Sequence, residues 1–389
     1  MSIKGKAYVA GIFEHPLRKA ENKTLPQLHA EVAKGALEDA GLSKRDVDGY
    51  FCAGDSPGLG PLSMAEYLGL KPRYVDSTDT GGSSYVLHVS HAAQAIAAGK
   101  CKVALITLAG RPRSEGQATG TAPRMLSQTI PDVQFETPYG PAIANMYAMV
   151  AMRHMHEFGT TSEQLAWIKV AASHHAQWNE HAMLRDVVTV EDVVNSPMIA
   201  DPLHRLDCCV ISDGGGAIVV VAPEIAKSLK RPKVKVIGAG EAVKGLDGGR
   251  VDLSYSGTRF SGATAFAEAG VTPADIKYAS IYDSFTITVL MQLEDLGFCK
   301  KGEGGKFVAD GNLISGVGRL PFNTDGGGLC NNHPANRGGL TKVVEAVRQL
   351  RGEAHPKVQV ANCDLALANG TGGSLGTRHG SATLILERE

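Results

Sequence analysis

Residues 36–47, ALEDAGLSKRDV, return 229 positions further on as AFAEAGVTPADI at 265–276, with no gap between the two. Both predict a helix ending at Ala-Gly, a Ser or Thr opening the next turn, and an Asp followed by a β-branched residue entering a strand. The strands that follow are VDGYFCAGD and IKYASIYDSF. Two more pairs recur in the same order. GGSSYVLHVSHAAQAIAAG (81–99) and GGLTKVVEAVRQLRG (338–352) each begin an apolar-periodic helix with a Gly pair, end at Gly, and run towards KVALITLAG or KVQVANCDLAL. DGGGAIVVV (213–221) and RHGSATLIL (378–386) are both Gly-led terminal strands. Such a repeat limits the fold more than composition does. It predicts an α/β protein of two similar halves, residues 1–225 and 226–389, with central strands apolar on both faces.

The first half is the longer, and its excess lies at about 111–207. That stretch opens with a polar, Gly/Pro-containing run and continues into two helical patterns, IANMYAMVAMRHMHEFG and SEQLAWIKVAASHHAQWN. It is expected to form an inserted loop domain covering one face, its segment 111–139 acting as a lid. The 39 Lys+Arg balance 40 Asp+Glu to a net charge of −1, so nothing draws the surface to nucleic acid or anionic lipid. Seven scattered cysteines without a CxxC pair argue against disulfides and against a zinc site built by this chain. The first residues meet Glu14 before any leader-like apolar run, and no run approaches the ~18 residues that span a bilayer, which predicts a cytoplasmic protein.

Glycine at a helix N-terminus suits oxyanions and acyl carbonyls, because unpaired N–H groups and the helix dipole point there. Each half offers such a start, at residues 77–84 (STDTGGSS) and 326–334 (GGGLCNNHP), and a third Gly-rich turn is NGTGG at 369–373. Approximate two-fold symmetry brings the two helix starts together. From residue types alone, Thr80 and Ser83 are N-caps, Cys330 a small buried hydrophobe, Tyr282 a structural tyrosine and His333 a turn residue before Pro334. His174-His175 and His154/His156 lack a third ligand at metal spacing, and Cys208 and Cys209 are core residues.

GGGLCNNHP, the terminal GTGGSLGTRHGSATLIL and the duplicated halves with their insertion resemble the thiolase superfamily over nearly the whole chain. Asp207-Cys208-Cys209 with Ser212-Asp213-Gly214 is similar to the branch of sterol-carrier-protein-type thiolases, which carry His-Asp-Cys-Phe where this chain has Tyr282-Asp283-Ser284-Phe285. The resemblance implies a thiolase fold, two βαβαβαββ halves layered αβαβα. It also implies an acyl-CoA substrate, a homodimeric core and a small zinc-finger, OB-fold partner subunit. It places the family's nucleophilic Cys at Thr80 and its second catalytic Cys at Gly370 or Ser284, so neither thiol is present. His333, Tyr282, Thr80 and Cys330 are then the candidate catalytic residues. Gly372, Gly373 and Ser284 are candidates for holding the acyl-CoA, and Arg111, Arg113 and Arg124 for meeting a CoA phosphate by charge-assisted pairing.

Three activities fit these residues. One is thiolysis of a β-ketoacyl-CoA with CoA thiolate as direct acceptor, towards which a histidine at 333 tilts the balance. A second is retro-aldol cleavage of a β-hydroxyacyl-CoA, which needs no nucleophile. The third is a catalytically silent acyl-CoA-binding subunit.

Overall fold

The computed structural model describes residues 2–54, 56–120, 136–245, 247–334 and 338–389. Nine strands form one mixed sheet: β1 (Tyr8–Glu14), β2 (Gly49–Phe51), β3 (Tyr74–Asp76), β4 (Val103–Gly110), β5 (Gly214–Val221), β6 (Val234–Lys244), β7 (Tyr278–Ile281), β8 (Leu365–Gly373) and β9 (His379–Arg388). Their spatial order is β3-β2-β4-β5-β1-β6-β9-β8-β7. Outward from the centre, the first half runs first strand, last strand, penultimate strand, second strand, and the second half repeats that order. The halves meet where β1 pairs antiparallel with β6 through Tyr8↔Lys235 and Val9↔Val234. On this repeated order we propose the division of the chain at about residue 225.

The helices follow from local signals. In α1 (Leu25–Ala40) the Thr24 side chain accepts from the Gln27 N–H and Gln27 answers in a capping box, while Gly41 closes the helix at φ 69°. Its apolar face, with Val32, Ala36 and Leu37, packs on Tyr50, Leu105 and Val219 of the first half. The central pair is α2 (Ser84–Ala97), entered through a 3-10 turn at Gly81–Ser83, and its counterpart Gly339–Arg351. Both helices share one core with Val9, Ile106 and Val220 of the first half and Val236, Ala366 and Leu384 of the second. The other face of the second half carries α3 (Ile143–Phe158), α4 (Ser162–Ala176), α5 (Thr258–Ala269) and α6 (Thr286–Asp295) in a third core. The short α7 (Gly327–Cys330) is followed by α8, the Gly339–Arg351 helix. The one sheet thus wraps the central helices, strands of the first half on one side and of the second on the other, with α1 and α3–α6 outside, so that the layers alternate α, β, α, β, α.

The chain departs from its sequence pattern at KVQV (357–360), which precedes β8 as a turn instead of extending it. The Gln349 side chain accepts from the Val360 N–H at 2.9 Å and donates to the Val358 carbonyl at 3.1 Å, tying this segment to α8. Residues between β4 and β5 hold α3, α4 and a small hairpin, as an insertion would. Among the described residues no helix is long and apolar enough to cross a membrane.

Candidate active site

The two helix starts abut at the centre: a Cβ placed on Gly339 would strike the Gly82 carbonyl oxygen. Beside that junction the β7–α6 turn delivers Tyr282, and the segment between α7 and α8 delivers His333. The Tyr282 hydroxyl lies 2.8 Å from His333 Nε2, with the rings edge to face. Both residues are buried. The His333 N–H donates to Ser212 Oγ at 3.0 Å, and the Tyr282 carbonyl accepts from the Gln292 side chain at 2.6 Å, so each member of the pair is held from behind.

Burial dominates the protonation of the pair. It lowers the His333 pKa to about 4, with Lys342 acting in the same direction and Asp283 opposing, so the imidazole is neutral at pH 7. A protonated phenol donating to this neutral imidazole makes Nε2 the acceptor from Tyr282. Burial raises the Tyr282 pKa well above 10, the nearby Cys209 and Tyr147 adding to the rise, so the phenol stays a donor.

Asp283 sets the geometry of this corner. Its Oδ1 accepts from the Gly328 N–H at 2.8 Å and from Lys342 Nζ at 2.6 Å, and Oδ2 from the Leu329 N–H at 3.1 Å. The carboxylate thereby caps α7 and fastens it to α8. Tyr147, on α3 of the inserted segment, stacks on Phe285 with ring centroids 4.4 Å apart, and its hydroxyl donates to the Gly373 carbonyl at 3.2 Å. Ser284 lies against the Tyr147 hydroxyl and bonds Thr288 at 3.0 Å.

The other expected residues lie elsewhere. Thr80 does not face the pair: its hydroxyl bonds Ser83 Oγ at 2.9 Å, and its carbonyl is pressed against Gly372. The position of the first helix start that meets Tyr282 is Gly82, where a Cβ would lie 2.5 Å from the Tyr282 hydroxyl and collide with the Thr371 carbonyl oxygen. A Gly82→Ala variant is therefore expected to lose at least ~10² in turnover, by displacing Tyr282, and about 1–3 kcal/mol of stability through overpacking. Steady-state rates and a thermal melt check this, and an Ala variant with normal turnover would separate Gly82 from the site.

Cys330 is fully buried with its sulfur 3.2 Å from Lys169 Nζ, and burial raises its pKa. Cys209 is the thiol beside Tyr282 and Tyr147, its pKa pushed up to about 12 by burial and then by Asp283, so it is no thiolate at neutral pH. Arg111 reaches the Glu21 carbonyl at 3.4 Å and Arg113, exposed, the Met183 sulfur at 3.4 Å; Arg124 lies outside the described residues. Of the inserted segment's histidines, His154 bonds Glu294 at 3.0 Å and His175 accepts from the Ser315 N–H at 2.9 Å.

Asp283, Lys342, Tyr147 and Gly82 were not singled out from sequence. One signal was present, because a Lys and a Glu three residues apart (342, 345) on a helix otherwise buried in the central layer must find internal partners.

Residues 241–388 match the thiolase C-terminal domain-like family. A steroid side-chain-cleaving aldolase of Thermomonospora curvata is 37% identical over 90% of this chain and 91% of its own length. The chain belongs to the thiolase superfamily. Within it the chain falls in the sterol-carrier-protein-thiolase-like branch, and its chemistry is that of an enzyme making or breaking a carbon–carbon bond of an acyl-CoA. The benzoylsuccinyl-CoA thiolase subunit BbsB of Thauera aromatica is 31% identical to this thiolase-like chain over 98% of it and all of that subunit. A solved structure described as the Ltp2-ChsH2(DUF35) aldolase superposes with a TM-score of 0.89 at 34% identity, covering 99% of this chain and 98% of that one. In this thiolase-like chain the first helix start presents Gly82 to Tyr282.

Proposed function

We propose that the protein is a retro-aldolase that cleaves a β-hydroxyacyl-CoA into a ketone or aldehyde and a shortened acyl-CoA. The observation that carries this reading is the buried, neutral Tyr282–His333 pair with Gly82 against the tyrosine and, among the described residues, no thiolate beside it. A tyrosine hydroxyl bonded to a neutral imidazole is a proton relay. The substrate hydroxyl gives its proton to the Tyr282 oxygen as the tyrosine proton passes to His333 Nε2. The C–O bond becomes a carbonyl, the Cα–Cβ bond breaks, and its electron pair moves into the thioester as an enolate. The relay then returns the proton to the enolate carbon. Identity to the T. curvata aldolase and likeness to the two-component aldolase structure support this reading.

Thiolysis is the second reading, supported by the T. aromatica relative. There His333 would draw the proton from a CoA thiol, the CoA sulfur would attack the β-carbonyl directly, and the Cα–Cβ bond would break to leave a thioester enolate that takes the proton back from His333. The two differ in stoichiometry. Purified protein, together with any partner that co-purifies, is incubated with β-hydroxyacyl-CoA and β-ketoacyl-CoA substrates, with and without free CoA. Retro-aldol cleavage releases carbonyl product without CoA, and thiolysis consumes one CoA per turnover. Turnover of neither substrate would favour a silent subunit.

The relay carries a pH signature. A base whose pKa is lowered to about 4 is lost only as the pH falls through that value. The kcat/KM is therefore expected to stay level from pH 8 to 5.5, where a histidine at the ordinary ~6.5 would have lost about 90% of its neutral form. An acid limb centred near 6.5 would contradict the buried neutral base.

The same reading takes the substrate to be a CoA thioester, with Arg111, Arg113 and Arg124 as candidate phosphate contacts and the backbone at Gly372 and Gly373 near the acyl group. The expected homodimer and zinc-finger, OB-fold partner belong to this proposal too. A solved relative whose description joins two components, and another described as a subunit, support an assembly.

A further inference from the structure

Glu14 ends β1 in the first half of the chain, yet its carboxylate meets the segment of the second half that leads into His333. Oε1 accepts from Asn332 Nδ2 at 2.5 Å, Asn331 Nδ2 at 3.0 Å and Arg18 Nη2 at 2.5 Å. Oε2 lies 3.4 Å from Arg348 of α8. Asn331 is fixed again by Arg18, which donates to its Oδ1 at 2.7 Å, and by Asp325 Oδ2 at 2.9 Å. Burial alone would raise the Glu14 pKa, but Arg18, Arg348 and Asn331 together hold it at about 2, so it is a full carboxylate.

We propose that Glu14 is a positioning residue that aligns His333 with Tyr282 by clamping the two asparagines that precede it. The proposal rests on the reading of His333 as the base. The His333 backbone is also held at Ser212, through its N–H to Ser212 Oγ and the Ser212–Pro334 bridge. Glu14 adds two bonds at the immediately preceding residues and anchors them to the first strand of the other half. A base must sit within hydrogen-bond reach of its partner, and small misplacements far from the chemistry are costly. Glu14 bonds Arg18, Arg348 and the two asparagines and not the Tyr282–His333 pair itself, so its loss should act on kcat and leave KM alone.

The test is a double-mutant cycle between Glu14→Ala and His333→Ala in the full chain with any co-purified partner. Glu14→Ala is expected to lower kcat ~30-fold or more with KM within about threefold, and Glu14→Gln, which keeps one acceptor oxygen, to recover part of the loss. In the His333→Ala background Glu14→Ala should cost nothing further, because a positioning residue has nothing left to position. An equal loss in both backgrounds, or a loss expressed in KM, would overturn the proposal. If Glu14→Ala does not fold, Asn332→Ala enters the same cycle, since it removes a bond to Glu14 and leaves the Glu14–arginine pairs intact. Full activity of His333→Ala by itself would instead overturn the base assignment.

Discussion

His333→Ala is expected to lower kcat by ~10²–10⁴, the range spanned by general acid–base groups, with KM within a few fold. The imidazole makes the relay's terminal acceptor, and no other neutral base touches the Tyr282 hydroxyl among the described contacts. Tyr282→Phe removes the other half of the relay and should cost about as much. The double variant should be little worse than either single one, because groups acting as a unit are not additive. The substitution at 333 leaves a buried phenol unpartnered, at about 1–3 kcal/mol, so folding should survive and the loss can be assigned to chemistry. Rates of acyl-CoA cleavage with parallel thermal melts provide the measurement. Wild-type turnover in His333→Ala would remove the pair from the mechanism.

The second large effect is on stability. Asp283→Ala strands the Lys342 ammonium in the interior and leaves the Gly328 and Leu329 N–H groups without their acceptor. Breaking one side of a buried ion pair costs about 3–5 kcal/mol. Lys342→Met should be milder, because Asp283 keeps its two backbone donors. Combined with Asp283→Asn it should fall well short of the sum of the two single losses. Chemical denaturation midpoints test this order. Activity should fall along with stability in Asp283→Ala, since Gly328 lies against the His333 ring, where its Cβ would be 3.4 Å from Cδ2. An Asp283→Ala variant as stable as the parent would mean that water reaches Lys342.

His333 was legible in sequence because it follows a Gly-rich helix start and Tyr282 because it stands in a turn from a strand into a helix, and both were joined to acyl-CoA chemistry through the resemblance. Thr80 shows the limit. The helix start was correctly located, but which of its residues faces the opposing half depends on the 3-10 turn at Gly81–Ser83, and that turn directs Gly82 towards Tyr282 and Thr80 towards Ser83. Glu14 in sequence is only a charge in an N-terminal strand. Its partners lie more than 300 residues away, at Asn331 and Asn332.

The amino-acid order by itself determined the duplicated α/β architecture, because periodic apolar runs punctuated by glycine leave little choice of element type or sequence of elements. It also determined the absence of both expected thiols, which needs only the identity of residues. Tertiary structure alone decided which side chains converge. Tyr282 against His333, Asp283 against Lys342, Glu14 against Asn332 and Tyr147 against Gly373 are all contacts across different strands and helices. The first two fold the second half onto itself and the last two join it to the first half, and burial then sets the protonation on which the chemistry rests.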